Sequence, residues 1–537
     1  MCKILSQIIG LYRRKLYVPY VFIGIFSAAI FIFLQAEPLF ADPDSFYHAK
    51  ISSLMSEQLI VKNFPWLVFT NLPQIYTDHH FLYHIFLIPF VKFFNPLIGI
   101  KIATTIIDTG FILLFYSFLK SCKAKWPEFF TFLLLGSAPF MFRINLAKAN
   151  GLSLIFVFFL LFALFRKKYF WLFIISFFYV WAYGGWPLGI LLASLYWLSS
   201  LLSSFILRSQ EENKSFHCLI VSLLKSSEWG PFVAVIAGSL AGLIINPYFP
   251  QNLQFYWVQT FQIAVVNYGS KIGVGGEWYP FDFFNLISYG WPVILSFLLA
   301  ILFFAGSLML KKQRDVEKET VTRTFFLTAL SGIFFVLTLK SCRNAEYFLP
   351  FMAVTCSFLL KYFYDRDVYL YLKNNVLKIL KSERNYKLLI FYVVTMIIVS
   401  FVGNVWQIKG DLSKGFSFNK YKEAATIMAE SSKAGDIVFH SDWDDWPILF
   451  YNNSKNYYIV GLDATFMYEY NQNLYQKWRD ITWGKYDGDA YTAIKDDFDA
   501  RLVFIADGDI QKMDKYFNAD ERYELLYNGE GKVYRIK

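Results

Sequence analysis

Charged side chains are scarce in this sequence. Asp, Glu, Lys and Arg make up 17% of its 537 residues, whereas hydrophobic residues make up 56% and include 60 Phe and 36 Tyr. A water-soluble protein of this length needs far more polar surface than that. The shortage of charge therefore excludes an ordinary soluble enzyme and indicates that lipid surrounds much of the chain.

Cysteine is rare as well. There are five, at positions 2, 122, 218, 342 and 356, and no two of them have CxxC spacing. The sequence therefore predicts neither a disulfide framework nor a thiolate metal site. It also lacks a small-residue cleavage site after its first apolar run, Val18 to Leu34. We expect that run to be a retained transmembrane helix and not a signal peptide.

Long apolar runs recur up to residue 407. A membrane-crossing helix needs about 20 apolar residues. Candidate spans lie near residues 16–36, 97–119, 127–142, 150–166, 168–182, 187–206, 229–246, 288–310, 322–339, 345–363 and 388–406. The sequence therefore predicts a polytopic α-helical membrane protein with about eleven transmembrane helices.

Lys and Arg cluster between alternate spans, at 120–125, 166–168, 311–314 and 373–387. Loops rich in Lys and Arg stay on the cytoplasmic side. The pattern predicts a multi-pass protein of the cytoplasmic (inner) membrane, with its N-terminus inside and its C-terminal part outside. The net charge of +10 then reports topology, and no nucleic-acid partner is expected. The short apolar segment 81–94 is predicted to lie at the outer interface.

Composition changes after residue 407. Residues 408–537 carry 17 Lys and Arg against 22 Asp and Glu. A predicted amphipathic helix at 419–432 is followed by predicted strands at 437–440, 457–462, 501–506 and 532–537. This pattern favours a small extracytoplasmic α/β domain at 408–537. Residues 1–407 would form the transmembrane domain with catalytic outer loops, of which the first is 37–96.

An acidic pair, Asp42 and Asp44, follows the first span in the stretch ADPDSFYHAK. Asp44 stands at the start of a predicted helix, 45–60. A carboxylate there can cap the free N–H groups of the helix. It can equally serve as a general base or as a metal ligand close to the membrane surface.

A second polar group lies further along the same outer loop, in the run Asp78-His79-His80 with His84. Imidazole and carboxylate together suit a transition metal. The alternative is a helix start capped by Asp78, with the histidines at the lipid interface. Both interpretations stay open from the sequence.

These features resemble, in their order, the GT-C glycosyltransferases, and are most similar to the catalytic subunit of oligosaccharyltransferase. ADPDSFYHAK resembles the family's first acidic motif. VGGEWYP resembles its Thr/Ser-x-x-Glu motif, with Glu277 matching the Glu. LKSCRNAEYFLPF looks like the segment that bears a phosphate-binding Arg, here Arg343, and SDWDDWPILFY stands where the Trp-Trp-Asp motif lies. The resemblance runs from about residue 15 to about residue 465.

The resemblance implies a membrane glycosyltransferase that uses a polyprenyl-(pyro)phosphate sugar donor at the outer face of the membrane. Asp44 and Glu277 would be catalytic, Arg343 would bind the donor phosphate, and Trp443 with Asp444 would bind the acceptor or the sugar. The acceptor would be a protein, a lipid or a polysaccharide, and membrane lipid would surround the enzyme. The implied cofactor is Mg²⁺ or Mn²⁺. Its candidate ligands are Asp44 and Glu277, with Asp42, Asp78, His79 and His80 as further candidates.

The sequence departs from the family at its second acidic motif, in the stretch RINLAKAN, where Asn150 stands near the position of the expected Asp and is flanked by Arg143 and Lys148. The Trp-Trp-Asp motif is reduced to Trp443-Asp444, and Val274 replaces the Thr/Ser before Glu277. These departures leave a metal-independent transferase open, one that takes a polyprenyl monophosphate sugar and acts on lipid or polysaccharide. They also leave open a non-catalytic glycan-binding relative, and a lipid or sugar transporter.

Overall fold

Helices build most of this chain. The computed structural model describes residues 17–209, 228–266, 268–309, 317–364, 366–518 and 520–537. The helices up to residue 412 are α1 Val18–Leu34, α2 Asp44–Gln58, α3 Leu72–Ile75, α4 Phe81–Phe93, α5 Pro96–Ser121, α6 Pro127–Leu135, α7 Ala138–Ile144, α8 Asn150–Phe165, α9 Tyr169–Ala182, α10 Pro187–Ser209, α11 Trp229–Ile244, α12 Gln251–Tyr256, α13 Phe283–Met309, α14 Lys318–Lys340, α15 Ala345–Phe363, α16 Arg366–Leu380 and α17 Glu383–Leu412.

The long helices have membrane character. Among the described residues, five helices are long and apolar enough to cross a membrane, namely α5, α10, α13, α14 and α17. The apolar helices α1, α4, α8, α9 and α11 are shorter. Since an apolar helix of about 20 residues matches the thickness of a bilayer, the chain has the architecture of a polytopic membrane protein. The count of eleven spans stays a prediction.

The span expected at 127–142 is two short helices, α6 and α7. They are separated by Gly136 and Ser137, and Pro139 lies in the first turn of α7. A continuous helix would require the residue at 139 to donate its N–H to Leu135, and proline has no N–H. The break lets α7 end at Ile144, so that Arg143 lies beside the polar loop that follows.

The last part of the chain forms a five-stranded sheet with the strand order β4-β3-β5-β7-β6. Strand β3 is parallel to β4 and β5, whereas β7 is antiparallel to β5 and β6. The strands within the described residues are β1 Leu39–Phe40, β2 Phe416–Ser417, β3 Ile437–His440, β4 Tyr457–Tyr458, β5 Ala500–Ile505, β6 Tyr523–Gly529 and β7 Gly531–Ile536. The helices around them are α18 Lys422–Glu430, α19 Trp446–Asn452, α20 Thr465–Tyr470, α21 Gln472–Thr482, α22 Ala490–Thr492 and α23 Ile510–Phe517. That this region is a separate domain outside the membrane stays a prediction.

Backbone pairing joins residues 37–96, the segment expected to be the first outer loop, to the C-terminal region. Strands β1 and β2 pair antiparallel, with Leu39 opposite Ser417. Further along the loop, Leu67 bridges in parallel to Tyr458 of β4, and the Val68 N–H donates to the Tyr458 carbonyl at 3.0 Å. The loop thus occupies the open edge of the sheet and holds α2 against the C-terminal helices.

Trp446 is the largest fully buried side chain at this junction. Its ring stacks on Phe450 at 4.8 Å between centroids and packs against Tyr47 and Phe64 of the outer loop. Gly461 passes so close that a Cβ there would lie 2.5 Å from the Trp446 ring. Only glycine leaves the indole the space it occupies, so this backbone approach fixes the packing of α19 on α2.

Candidate active site

A cavity of about 740 Å³ lies where the first outer loop, the ends of the long helices and the C-terminal region meet. The sequence-predicted site residues that line it are Asp42, Asp44, His79, His80, Glu277, Arg343, Trp443 and Asp444. Asp78 does not line the cavity and is buried behind its wall. The fold therefore gathers side chains from sequence positions 42 to 444 around one space, and their roles stay predictions.

Lys148 lies between the two carboxylates of the first acidic motif. Its Nζ is 2.7 Å from Asp42 Oδ2 and 2.8 Å from Asp44 Oδ2. Burial opposes the charge on this ammonium, but Asp42 and Asp44 outweigh it and raise the pKa of Lys148. Burial raises the pKa of Asp42 to about 6, although Lys148 opposes that shift. A protein cation thus sits where two carboxylates converge.

A network of alternating charges borders the same cavity. Arg143 Nη1 is 2.8 Å from Glu277 Oε2, and Arg143 Nη2 is 3.1 Å from Glu346 Oε2. The other oxygen of Glu277 is 3.1 Å from Arg343 Nη1. Burial opposes ionisation of Glu277, but Arg343, Arg143 and Lys148 together lower its pKa well below the usual range. Glu277 is therefore an anion held between two guanidinium groups.

Further hydrogen bonds fix both ends of this ion-pair network. Glu346 is fully buried and also accepts from Asn150 Nδ2 at 2.9 Å. At the other end Arg343 Nη2 donates to the Tyr183 hydroxyl at 2.8 Å, and the guanidinium lies 5.0 Å from the centre of the Trp278 ring. A planar guanidinium held in this way keeps its remaining N–H groups in a fixed fork, which suits phosphate oxygens.

Trp443 and Asp444 form a short 3₁₀ turn, Trp443–Asp445, whose first residue follows Asp442. The Asp442 side chain caps this turn, because it accepts a hydrogen bond from the Asp444 N–H at 3.1 Å. Burial, with repulsion from Asp44 and Asp42, raises the pKa of Asp444 to about 8. Near neutral pH this side chain is thus largely a neutral acid that can both donate and accept a hydrogen bond.

The carboxylates expected to hold a divalent metal are already paired with protein groups. Lys148 binds both Asp42 and Asp44, and Asp78 binds His84 Nδ1 at 2.8 Å. Within the described ranges, no group of three or more His, Cys, Asp or Glu side chains is placed to hold a metal ion. Lys148 thus occupies the place between Asp42 and Asp44, and binding of Mg²⁺ or Mn²⁺ stays a prediction.

The sequence did not identify several side chains that shape this site. They are His48, Arg143, Lys148, Tyr183 and Glu346. Arg143 and Lys148 were visible only as basic residues in a loop expected to be acidic, and that contrast was the available signal. Glu346 follows Arg343 by three residues in LKSCRNAEYF, a spacing that places both at one helix end.

The fold resembles that of solved GT-C glycosyltransferases. The archaeal oligosaccharyltransferase AglB from Archaeoglobus fulgidus, solved with an inhibitory peptide and a dolichol-phosphate, matches 97% of this chain and 75% of its own at a TM-score of 0.59 and 11% identity. ArnT from Cupriavidus metallidurans, bound to undecaprenyl phosphate, matches over 97% and 98% at a TM-score of 0.53 and 11% identity.

The arabinofuranosyltransferase AftD from Mycobacteria is also similar, at a TM-score of 0.56 and 8% identity, over 97% of this chain and 40% of its own. At the level of sequence, no family model and no curated protein matches. The likeness predicted from the motif order is thus confirmed as a likeness of fold.

Proposed function

We propose that this chain is a glycosyltransferase that moves a sugar or oligosaccharide from a polyprenyl-(pyro)phosphate carrier to an acceptor on the outer face of the membrane. The observation that carries the proposal is the single cavity that Arg343, Glu277 and Arg143 line together with Asp44 and Lys148. AglB and ArnT, which share the fold, were solved with dolichol-phosphate and undecaprenyl phosphate.

Arg343 would hold the phosphate of the donor. When the bond between the sugar's anomeric carbon and the phosphate oxygen breaks, the bonding pair stays on the phosphate, and a nearby cation stabilises the added charge. Arg343 is oriented by Tyr183 and faces the cavity beside Trp278. Arg343 contacts Glu277 in this structure. When the donor binds, this contact would break so that Arg343 can bind the phosphate, and Glu277 would stay paired with Arg143.

Asp44 would bind the nucleophile of the acceptor, a hydroxyl or an amide, in the same cavity. Lys148 contacts only Oδ2 of this carboxylate, so that a second oxygen can accept the acceptor's hydrogen. Trp443 and Asp444 line the same side and would contact the acceptor or the transferred sugar. The transfer experiment described below distinguishes a protein, a lipid and a polysaccharide as the acceptor.

Lys148 also bears on the choice between metal-dependent and metal-independent chemistry. With an ammonium between Asp42 and Asp44, the charge of these carboxylates is compensated by the protein itself. We therefore favour transfer without a divalent ion. Activity that survives 10-fold excess EDTA over total divalent metal supports this version, whereas loss of activity that Mg²⁺ or Mn²⁺ restores supports the metal version.

The proposal is tested with the full chain in lipid nanodiscs. The donors are synthetic undecaprenyl-phosphate- and undecaprenyl-pyrophosphate-linked radiolabelled sugars, and the acceptors are an Asn-x-Ser/Thr peptide, bacterial lipid extract and polysaccharide. We expect transfer from one donor class, a loss of about 100-fold in Arg343→Ala and a smaller loss in Arg343→Lys, which keeps the charge without the fork. The matched control is Arg501→Ala, because Arg501 is exposed on β5.

Two outcomes would overturn the assignment. Full activity of Arg343→Ala would remove Arg343 from the donor site. Movement of labelled lipid across the bilayer of vesicles that contain the protein, without transfer to any acceptor, would identify the chain as a transporter instead.

A further inference from the structure

Three buried side chains of the first outer loop form a hydrogen-bonded row that ends at the cavity. Asp78 Oδ2 is 2.8 Å from His84 Nδ1, and His84 Nε2 is 2.7 Å from His48 Nδ1. Asp78 and His84 are buried away from the cavity, whereas His48, also buried, forms part of its wall. The row therefore runs from the interior of the outer loop to the reaction space.

The hydrogen-bonding roles along this row follow from its first member. Asp78 accepts from the backbone N–H of His80 at 3.0 Å and, as a carboxylate, can only accept from His84 as well. His84 therefore carries its proton on Nδ1, and its Nε2 accepts. His48 must then donate from Nδ1, which leaves its Nε2 unprotonated while the ring is neutral.

The free nitrogen of His48 has no hydrogen-bond partner among the described residues. His48 lies one helical turn after Asp44 on α2, so both side chains share the face of the helix that lines the cavity. Burial, His84, Lys148 and His79 lower the pKa of His48, which keeps the ring neutral around pH 7. A neutral imidazole with an open lone pair is thus presented beside the acceptor side of the cavity.

We propose that His48 takes the proton of the acceptor during transfer, and that Asp78 and His84 position it for that task. The inference rests on the proposed glycosyl transfer. The acceptor oxygen or nitrogen forms the bond to the anomeric carbon, the carbon–phosphate oxygen bond breaks with its pair going to the carrier phosphate, and the acceptor proton passes to His48 Nε2. The imidazolium that forms is stabilised through His84 by Asp78 and returns its proton to water.

Asp44 is less suited to this proton because its Oδ2 is already bound to Lys148. We therefore assign Asp44 to orienting the acceptor, and the acceptor's proton to Nε2 of His48, which faces the same cavity. The titratable groups around the His48 ring are Tyr47 of the same helix, the outer-loop residues His79, His80, Tyr83 and His84, and Lys148.

The test uses the full chain in nanodiscs, with the donor and acceptor that support wild-type transfer. We expect His48→Ala to lower kcat by about 100-fold, since general acid–base catalysis contributes roughly 10²–10⁴-fold. Binding of undecaprenyl phosphate should change by less than about 2-fold. Added imidazole should restore at least a tenth of the lost rate in this variant, because it supplies the missing base. Asp44→Ala is the matched control, in which imidazole should restore nothing.

A second pair of variants separates positioning from packing. His84→Gln can still donate to Asp78 and accept from His48, whereas His84→Leu can do neither. We expect His84→Leu to fall close to His48→Ala and His84→Gln to retain about 10-fold more activity.

Three results would overturn the assignment. The first is an equal loss of activity in the two His84 variants. The others are a His48→Ala enzyme that keeps more than half of its rate, and one whose rate does not rise with imidazole. A wild-type protein that transfers no sugar would instead remove the proposed function, and this inference with it.

Discussion

At the scale of single residues, Lys148 determines the net charge of the part of the cavity that Asp42 and Asp44 line. It lies in the turn between α7 and α8 and reaches two carboxylates that precede it by about a hundred residues. An ammonium that is largely buried pays a large desolvation cost unless close anions compensate it. The three side chains therefore form a unit, in which loss of the cation leaves two carboxylates in mutual repulsion.

Lys148→Ala should lower transfer by about 100-fold, because a preorganised charge is lost from the site. The same variant should gain a dependence on divalent ions that the wild type lacks, since Asp42 and Asp44 would offer paired oxygen ligands to Mn²⁺. Transfer rates with and without 1 mM Mn²⁺ measure both effects. The control is Lys62→Ala, because Lys62 is exposed and lies in the loop that carries Asp42 and Asp44. A variant that loses activity but shows no response to Mn²⁺ would contradict the second part.

Asp444 gives the site a pH-dependent stability. Its pKa is about 8 in the folded protein and near 3.8 when unfolded, so between these values the folded state holds a proton that the unfolded state releases. The contribution of Asp444 is therefore most favourable below pH 4 and declines as the pH rises to 8. We expect the apparent Tm to fall between pH 5 and pH 8, and Asp444→Asn to reduce this fall by about 2 °C.

Thermal unfolding of the detergent-solubilised protein at several pH values measures this slope. Asp487→Asn, at an exposed surface position, should keep the wild-type slope. An Asp444→Asn variant as steep as the wild type would show that other groups govern the pH dependence.

At the scale of elements, the contact between Gly461 and Trp446 controls how α19 packs on α2. Gly461→Ala would place a methyl group 2.5 Å from the indole ring, which forces the ring or the backbone to move. We expect a loss of about 2 kcal/mol in the free energy of unfolding, as is typical of an overpacked core. Gly508→Ala, where a Cβ would meet nothing within 4 Å, should be close to neutral. Equal stability of the two variants would show that the indole relaxes without cost.

Local patterns predicted the elements whose signals lie within one segment. The expected helix 45–60 corresponds to α2, and the expected strand 437–440 is β3. The expected strand at 457–462 is much shorter in the structure. Strand β4 pairs with β3 only at Tyr457–Tyr458, and Leu67 of the outer loop bridges to Tyr458 on the other side of β4. Pairing of this kind joins segments almost 400 residues apart, and a local pattern carries no information about it.

The site divides in the same way. Asp44, Glu277, Arg343 and Trp443 could be proposed from the order of motifs, and all four line one cavity. Their partners could not, because each partnership depends on tertiary structure: Arg143 and Glu346, for example, are 203 residues apart. Sequence motifs indicated where chemistry could occur, whereas the ion pairs that tune it depend on packing.

At the scale of the whole molecule, the membrane orientation decides whether the cavity faces the lipid carrier from outside. In a variant free of native cysteines, Lys62→Cys in the first outer loop should react with a membrane-impermeant maleimide in intact cells. Arg384→Cys, in the basic segment expected inside, should react only after permeabilisation. Both positions are exposed in the fold, so access to the reagent reports the side of the membrane. The reverse labelling pattern would invert the topology and place the cavity in the cytoplasm.

The pairing of β1 with β2 and of Leu67 with Tyr458 has a consequence for biosynthesis. The cavity needs a loop and a second region that follows it by almost 400 residues, so the second region must be synthesised and must reach the same side of the membrane before the cavity can form. A nascent chain interrupted between the two regions would hold only the residues that the first loop contributes.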